Sequence, residues 1–290
     1  MNTNIVRIDA RCVELHDAFL RFVPEVFPTA DFRRWYAAGA WGPDYRAFAI
    51  LDGARIVANI SVRRMNLIVS GHARAGWQLG AVGVLPDYRD RGLQRILMQH
   101  VLGQLSTGDI VMLFANDDVL DFYPLFGFRQ VTEWLYSTQR SISPGPGPLR
   151  RLSFDSGADR KLLARLAASA PPVTERFGAR GYDSVLCWYW ASSLADAFYY
   201  HEADDAIVVA EQDMEVLRIL DVLATRPLDL SAYLPQLVAE PVEHIEFGFT
   251  PERLWPSAQP EFEYLESPLF VRGDVELPAE PFKFPLLAQT

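Results

Sequence analysis

The chain has 290 residues, of which half are hydrophobic, with two cysteines and a formal net charge of −10. That length predicts one large domain or two small ones. A surface this acidic, with no lysine or arginine run, argues against nucleic acid as a partner. No apolar stretch approaches the roughly 18 residues of a membrane-spanning helix, and the charged N-terminal segment lacks the apolar core of a signal peptide. With too few cysteines for a disulfide framework, these features predict a cytoplasmic protein that contacts no membrane.

The first half of the sequence predicts a mixed α/β unit with a central sheet flanked by helices. In chain order, its predicted elements are helices at 13–23 and 31–38, strands at 46–51, 55–68 and 77–84, a helix at 93–105, a strand at 109–115, a short helix at 119–125 and a strand at 129–139. Asp52-Gly53 is a strong hairpin signal between the first two strands. Residues 93–105 carry apolar side chains at the spacing of a helix with one buried face.

A segment rich in proline and glycine, residues 143–148, follows this unit and cannot sustain a helix or a sheet ladder. We therefore predict a first domain at 1–142, a linker at 143–148 and a second domain at 149–290. In chain order, the second half predicts helices at 159–168 and 185–195, strands at 197–202, 206–211 and 216–223, a short helix at 230–238 and strands at 244–249 and 269–271. This order repeats that of the first half, so a second, smaller α/β domain is expected.

One connection in the first half has the features of an anion site. Between Val82 and Gln94 a strand ends, a polar loop follows and a helix begins. The first turn of a helix leaves N–H groups unpaired, and the helix dipole favours negative charge there. Gly92 has no Cβ, so a phosphate can approach its backbone, while Arg89 and Arg91 add positive charge. A diphosphate suits this turn, although a plain solvated loop can have the same spacing.

A second group of residues follows the next predicted strand. Asn116 comes directly after that strand, and Tyr123 lies further on, within the aromatic sequence of residues 121–128. A tyrosine hydroxyl, with an ordinary pKa of about 10, suits the protonation of a thiolate leaving group. The alternative is a core aromatic whose hydroxyl is satisfied by the protein.

Together, these two segments resemble the GNAT superfamily of N-acetyltransferases. The family's cofactor motif, Arg/Gln-x-x-Gly-x-Gly/Ala, corresponds to residues 89–94, and the usual Pro-x-Tyr-Arg corresponds to residues 86–89. The second family motif, Asn followed by Phe-Tyr and Gly-Phe, corresponds to Asn116, residues 122–123 and residues 127–128. Both motifs occur in the family's order, and the resemblance covers the first half of the chain.

The resemblance implies acetyl-CoA as the acyl donor and gives the motif residues their roles. The residues implied to hold this cofactor are Val82, Gly83, Val84, Arg89, Asp90, Arg91, Gly92, Leu93, Gln94, Arg95 and Asn116. The backbone of residues 82–84, splayed from the next strand by a small bulge, would pair with the pantetheine arm. The amides of residues 89–95 would hold the pyrophosphate. Tyr123 would be the catalytic acid that protonates the CoA thiolate after an amine attacks the thioester directly.

The second half resembles a degenerate GNAT-like domain, because its elements follow the same order. The connection after its third strand, residues 224–230, lacks the Arg-x-x-Gly turn and contains Pro227, which has no N–H to donate. We therefore expect no cofactor in this half. Its expected role is to cover the sheet edge of the first domain and to shape the acceptor pocket.

Two positions depart from the family pattern. Gln94 stands where glycine or alanine is usual, and its larger side chain would either crowd the phosphates or donate a hydrogen bond to them. Gln78 stands where histone-type relatives carry a general-base glutamate, and glutamine takes up no proton near neutral pH. Asp118 and Glu133 are nearby carboxylates in the sequence, and we expect both to be solvated at the surface. The base is therefore another group, a chain of water molecules, or none if the amine arrives neutral.

Aromatic residues crowd the two segments expected on the acceptor side, residues 24–45 and 129–137. They suit a cationic amine or a flat ring, or they simply form core. We predict an N-acetyltransferase acting on a small-molecule amine. The alternatives are a non-catalytic acyl-CoA-binding or regulatory module and a protein lysine or N-terminal acetyltransferase. The histidines lack ligand spacing and no cysteine pair supports them, so no metal is predicted, and the sequence leaves a homodimer open.

Overall fold

A computed structural model describes residues 4–106, 108–262 and 267–290. Its helices are α1 (Val13–Val26), α2 (Arg33–Ala37), α3 (Leu93–Gln104), α4 (Gly157–Ser169), α5 (Asp183–Ala191) and α6 (Leu234–Leu237). Its strands are β1 (Ile5–Ile8), β2 (Tyr45–Asp52), β3 (Arg55–Val69), β4 (His72–Val84), β5 (Ile110–Phe114), β6 (Arg129–Val131), β7 (Leu135–Ile142), β8 (Arg150–Arg151), β9 (Phe177–Arg180), β10 (Phe198–His201), β11 (Ala206–Asp213), β12 (Val216–Ala224), β13 (Val242–Phe247), β14 (Gln259–Glu261) and β15 (Leu269–Arg272). None of the helices in the described ranges has the length and apolar character that crossing a bilayer requires.

The first sheet is built around a long antiparallel meander that ends in one parallel pair. Its strand order is β1-β2-β3-β4-β5-β15-β6, and β9 pairs with the far end of β3. Only β4 and β5 run parallel among these neighbours. A parallel pair needs a crossover connection, and α3 provides it. The Asp52-Gly53 hairpin joins β2 to β3, with Gly53 in the left-handed conformation that such turns require.

The second sheet repeats this arrangement strand by strand. Its order is β8-β10-β11-β12-β13-β7-β14, and again one pair, β12 with β13, is parallel. The connection between these two strands contains α6, which corresponds in position to α3. The molecule is thus an α/β fold of two mixed sheets flanked by helices, and the predicted fold class is confirmed.

The two halves of the chain exchange strands, and besides β9 at the far end of β3, two further strands cross over. β7 follows β6 in the chain but pairs with β13 and β14 in the second sheet. β15 comes from the second half and fills the place between β5 and β6 in the first sheet. The domain division at residues 143–148 stays a prediction. Each sheet contains strands from both sides of this segment.

Most predicted elements lie within a few residues of the observed ones. The predicted strand at 129–139 is two strands, β6 and β7, which belong to different sheets. The predicted short helix at 119–125 is a pair of 3-10 turns, Asp117–Val119 and Tyr123–Phe126. The segment at 230–238 holds a 3-10 turn followed by α6, and Pro235 sits in the first turn of that helix, where its missing N–H breaks no bond. The strands β1, β8, β9 and β14 have no predicted counterpart.

Helix α5, from the second half, packs against α2 of the first. Trp35 Nε1 donates to the carbonyl of Ser184 at 2.9 Å, and Ser184 Oγ donates to the carbonyl of Ala40 at 2.8 Å. Arg34 donates to the carbonyl of Ala191 at 3.0 Å. These contacts bring the second half over the face of the first sheet that α1 and α2 cover.

Candidate functional site

The parallel strands β4 and β5 separate partway along their length. Their pairing ends where Gln78 lies opposite Met112. β4 then contains a bulge, at which its register with β3 slips and Ala81 takes a φ of +46°. Asn59 Nδ2 supports the bulge by donating to the carbonyl of Ala81 at 2.9 Å. Because a bulge bends its strand away from the neighbour, residues 82–84 face an unpaired wedge instead of β5.

The wedge leads to the start of α3. A 3-10 turn at Pro86–Tyr88 is followed by Asp90 and Gly92, whose φ angles are +59° and +72°. Gly92 is the N-cap residue, and no side chain caps the helix there, so the N–H groups of its first turn are available to a ligand. A Cβ at Gly92 would meet no atom within 4 Å, so the space above this backbone is open. This is the geometry of an anion site.

Three arginines surround the turn, and two of them are tethered. Arg91 donates to a backbone carbonyl of the loop at 2.6 Å, and its guanidinium lies 4.8 Å from the centre of the Tyr88 ring. The Arg95 guanidinium lies 5.8 Å from the centre of the Phe126 ring. Among the residues that the structure describes, Arg89 has no side-chain partner. One guanidinium is therefore free to turn toward an anion at the helix start.

Gln94, in the first turn of α3, has a buried side-chain amide. Neither its Nε2 nor its Oε1 has a hydrogen-bond partner in the described part of the chain. Leaving a buried polar group unpaired costs roughly 1–3 kcal/mol. Whether this side chain crowds the phosphates or binds them stays a prediction, and the unpaired amide favours binding.

Asn116 lies across the wedge from residues 82–84. It comes four residues after Met112, and Val82 comes four residues after Gln78, so the two positions lie at a similar depth beyond the last paired residues. The Asn116 side chain is exposed. Its amide is therefore available to a group that enters between the strands.

Tyr123 is held by aromatic packing and has a free hydroxyl. Its ring centre lies 6.0 Å from that of Phe128 and 5.6 Å from that of Phe270, which belongs to the exchanged strand β15. Among the described residues, none forms a hydrogen bond with the Tyr123 hydroxyl. Burial raises the pKa of Tyr123 to about 12, so the phenol stays protonated at neutral pH. A protonated hydroxyl without a partner in the protein is suited to act as an acid.

Residues 286–290 cover β4 next to the wedge. With its amide oriented to satisfy both neighbours, Gln78 donates to the carbonyl of Ala288 at 3.0 Å and accepts from the N–H of Thr290 at 3.2 Å. A Cβ at Gly80 would come within 2.9 Å of Thr290 Oγ1, so the glycine allows this close approach. Gln78 is thus a fully buried structural contact.

An aromatic cluster lies between the first sheet and the helices α1, α2 and α5. Its rings belong to His16, Phe19, Phe32, Trp35, Tyr36, Trp41, Tyr45 and Trp188. The expected contribution of residues 129–137 to this side is wrong, because β7 leaves the first sheet. Tyr136 lies in the core of the second sheet and donates to the carbonyl of Pro281 at 2.6 Å. Trp188 of α5 belongs to the cluster, although the sequence pattern did not predict it on this side.

Of the two carboxylates considered as bases, Asp118 is exposed as expected, whereas Glu133 is buried. Glu133 Oε1 accepts from the N–H of Phe284 at 2.7 Å, and burial raises the pKa of Glu133 to about 7. The expectation of a solvated Glu133 fails because this residue lies where the chain crosses between the two sheets. Within the described residues, no group of three or more His, Cys, Asp or Glu side chains is arranged to hold a metal ion.

A sequence model of the Acetyltransferase (GNAT) domain matches residues 13–131. That range contains the wedge, the uncapped helix start and Tyr123. Residues 13–131 form a GNAT domain. The chain therefore carries an acyltransferase domain, and the unpaired wedge of this GNAT domain is where the family resemblance puts the cofactor.

Solved structures share the fold of almost the whole chain, beyond the GNAT domain. A probable N-acyltransferase of unknown function from Enterococcus faecalis is 12% identical with a TM-score of 0.58, over 94% of this chain and 72% of that one. Eis1 from Mycobacterium abscessus is 17% identical with a TM-score of 0.56, over 93% and 72%. A putative acetyltransferase from Pyrococcus horikoshii is 11% identical with a TM-score of 0.50, over 99% and 96%. At such identities the likeness shows the fold alone. No curated protein matches the sequence.

Proposed function

We propose that this protein is an acetyl-CoA-dependent N-acetyltransferase whose acceptor is a primary amine of a small molecule. One observation carries the proposal: the wedge beyond Gln78 opens onto a helix start that is uncapped and unobstructed above Gly92. An extended arm that ends in a diphosphate has the shape of this path. The family of residues 13–131 supports the same donor.

In the proposed reaction, the amine nitrogen attacks the thioester carbonyl carbon, and the carbon–sulfur bond breaks as the tetrahedral intermediate collapses. The sulfur leaves as a thiolate and takes a proton from the Tyr123 hydroxyl. Burial keeps the Tyr123 phenol protonated at neutral pH, so it still carries a proton to donate, and the same burial makes a thiolate formed beside it more basic. The proton lost by the amine passes to solvent or to another base, because the buried Gln78 amide cannot take it.

In the proposed binding mode, the pantetheine arm pairs with the backbone of residues 82–84 and contacts Asn116. The pyrophosphate lies on the N–H groups of the α3 start, near the free guanidinium of Arg89 and the amide of Gln94. The anion there is stabilised by the helix dipole and by charge-assisted hydrogen bonds.

The deciding experiment is a calorimetric titration of the protein with acetyl-CoA. We expect a dissociation constant in the micromolar range, about −8 kcal/mol, and loss of binding in Gly92→Glu, whose carboxylate blocks the phosphate space and repels it. Gly92→Ala is the matched control, because it places the same strain on a left-handed backbone without bulk or charge. Equal affinity of the wild type and Gly92→Glu would contradict the proposed pyrophosphate position.

Turnover with a panel of primary amines then separates catalysis from binding alone. Binding without transfer to any amine or peptide would favour a non-catalytic acyl-CoA-binding module, for which the buried glutamine at position 78 is the motivating observation. Transfer to peptides in preference to small amines would favour a protein acetyltransferase.

A further inference from the structure

A row of buried polar side chains lies on one face of the first sheet. Asn59, Ser61 and Arg63 alternate along β3 and so point to the same face, and Gln78 lies directly opposite Arg63 on β4. The side chains of all four are buried. This face is the one that α1 covers, because a Cβ at Gly83, the partner of Asn59, would meet α1 at Val26. The row therefore borders the aromatic cluster.

Several hydrogen-bonding atoms of this region have no partner in the described part of the chain. They are Arg63 Nε and Trp41 Nε1, together with Trp188 Nε1 and Asn59 Oδ1. Tyr45 lies opposite Arg63 on β2, and its ring centre is 5.3 Å from that of Trp41. Most of these unpaired atoms are donors. A ligand that pairs with these donors must therefore carry hydrogen-bond acceptors.

Of these unpaired donors, the charged side chain of Arg63 is the one most destabilised by the lack of a hydrogen-bond acceptor. The side chain is 4% exposed, and the one hydrogen bond that it forms with the described residues runs from Nη2 to the carbonyl of Gly181 at 3.3 Å. The charges of Asp183 and Asp44 act on the Arg63 guanidinium, but neither carboxylate forms an ion pair with it among the described residues. A buried guanidinium stays charged, and a buried charge without a partner is strongly unfavourable. A carboxylate matches the planar fork of a guanidinium best.

The distance to the wedge fits an acceptor of modest size. Gln78, the neighbour of Arg63, is the last residue of β4 that pairs with β5, and the bulge at Ala81 comes three residues later. Three residues of strand span about 10 Å, which an arginine side chain and a small molecule can bridge together. An acceptor bound by Arg63 would thus extend its other end toward the wedge.

We propose that the acceptor carries a carboxylate in addition to its reacting amine, and that Arg63, assisted by Trp41, binds this carboxylate. The acceptor is therefore an amino acid or a related amino-carboxylate. A zwitterion of this kind has no net charge, so the net charge of −10 on the protein does not repel it. This inference rests on the proposed N-acetyltransferase function.

The test compares acceptors that differ only in the carboxylate. The probes are phenylalanine with phenethylamine, lysine with cadaverine, and 4-aminobutyrate with propylamine. We expect kcat/KM to be about 10²-fold or more higher for the carboxylate member of at least one pair, because its partner leaves a buried charged donor unpaired. Equal or higher kcat/KM for the decarboxylated member of every pair would overturn the proposal.

Substitution then assigns the preference to Arg63. In Arg63→Gln we expect the ratio within the preferred pair to fall to about 1, mainly through KM of the carboxylate member, while acetyl-CoA affinity stays unchanged. Arg63→Lys should recover part of the ratio, because the charge remains and the fork is lost. Arg64→Gln is the matched control, since Arg64 is exposed and points to the opposite face, over Trp77. An undiminished preference in a folded Arg63→Gln would overturn the assignment.

A binding measurement keeps this inference separate from the proposed reaction. Calorimetry with N-acetylphenylalanine and N-acetylphenethylamine needs no turnover. Tighter binding of the carboxylate-bearing product, lost in Arg63→Gln, supports the acceptor class even if acetyl transfer is not observed. Acetyl transfer without any preference for the carboxylate in either assay supports the reaction and overturns the acceptor class.

Discussion

At the scale of single residues, the proposed role of Tyr123 depends on a hydroxyl group that has no hydrogen-bond partner among the described residues. Its ring is fixed by neighbours from both halves of the chain, whereas its hydroxyl bonds to none of the described residues. A structural tyrosine in a core normally has its hydroxyl satisfied. The Tyr123 hydroxyl is therefore available to a reacting partner, as the proposed function requires.

Tyr123→Phe tests that explanation, since it keeps the packing and removes only the hydroxyl. We expect kcat to fall by roughly 10²-fold or more, because the thiolate then leaves without general-acid assistance, while the calorimetric affinity for acetyl-CoA stays the same. With the pKa of Tyr123 raised to about 12, wild-type kcat should also show no loss from phenol ionisation between pH 8 and about 10. Near wild-type turnover in the variant would remove Tyr123 from the mechanism.

At the scale of elements, the segment between β6 and β7 places an ionisable group in the interior. Glu133 lies where the chain leaves one sheet for the other, bonded to the N–H of Phe284. Its pKa is raised from 4.5 to about 7 because burial disfavours the charged form, against a smaller opposing effect of Lys283. The folded state thus binds the proton more tightly than the unfolded state. The resulting stability is present below pH 4.5 and is lost as the pH rises through about 7.

Glu133→Gln should remove this pH dependence, because the amide oxygen can still accept from Phe284 and carries no charge. We expect the free energy of unfolding of the variant minus that of the wild type to increase by on the order of 2 kcal/mol from pH 5 to pH 8, because only the wild type loses this stability as the pH rises. Urea denaturation at the two pH values measures it, and other titrating groups cancel in the difference. A difference that does not change with pH would show that folding does not raise the pKa of Glu133.

The contrast between Gly92 and Glu133 shows what the sequence could reveal. The turn around Gly92 depends on residues close together in the chain, so its helix start, its left-handed glycine and the bulge before it were accessible from local pattern and family resemblance. The position of Glu133 depends on which sheet β7 joins. The alternation of side chains along a strand does not reveal which strands will pair with it. The unpaired donors of Arg63 and Trp41 likewise arise only when α1, α2 and α5 close over the sheet.

At the scale of the whole molecule, the exchange of β7 and β15 joins the two halves into one structure. Without β15, the first sheet would lose the link between β5 and β6, and Tyr123 would lose its contact with Phe270. Without β7, the second sheet would lose the strand between β13 and β14. Each sheet therefore needs a strand from the other half to be continuous, so the halves should unfold as one cooperative unit.

Phe247→Ala, in the core of the second sheet, tests this cooperativity. Phe247 is 1% exposed in β13 of the second sheet, so its truncation should lower the global stability by about 3–5 kcal/mol. If the sheets unfold together, the slowest-exchanging amides of β2, β3 and β4 should lose as much protection as those of β11, β12 and β13. Hydrogen exchange followed by mass spectrometry reads both sheets in one sample. Met214→Ala, at a side chain that is 84% exposed, should change neither. Loss of protection confined to the second sheet would mean that it unfolds on its own despite the exchanged strands.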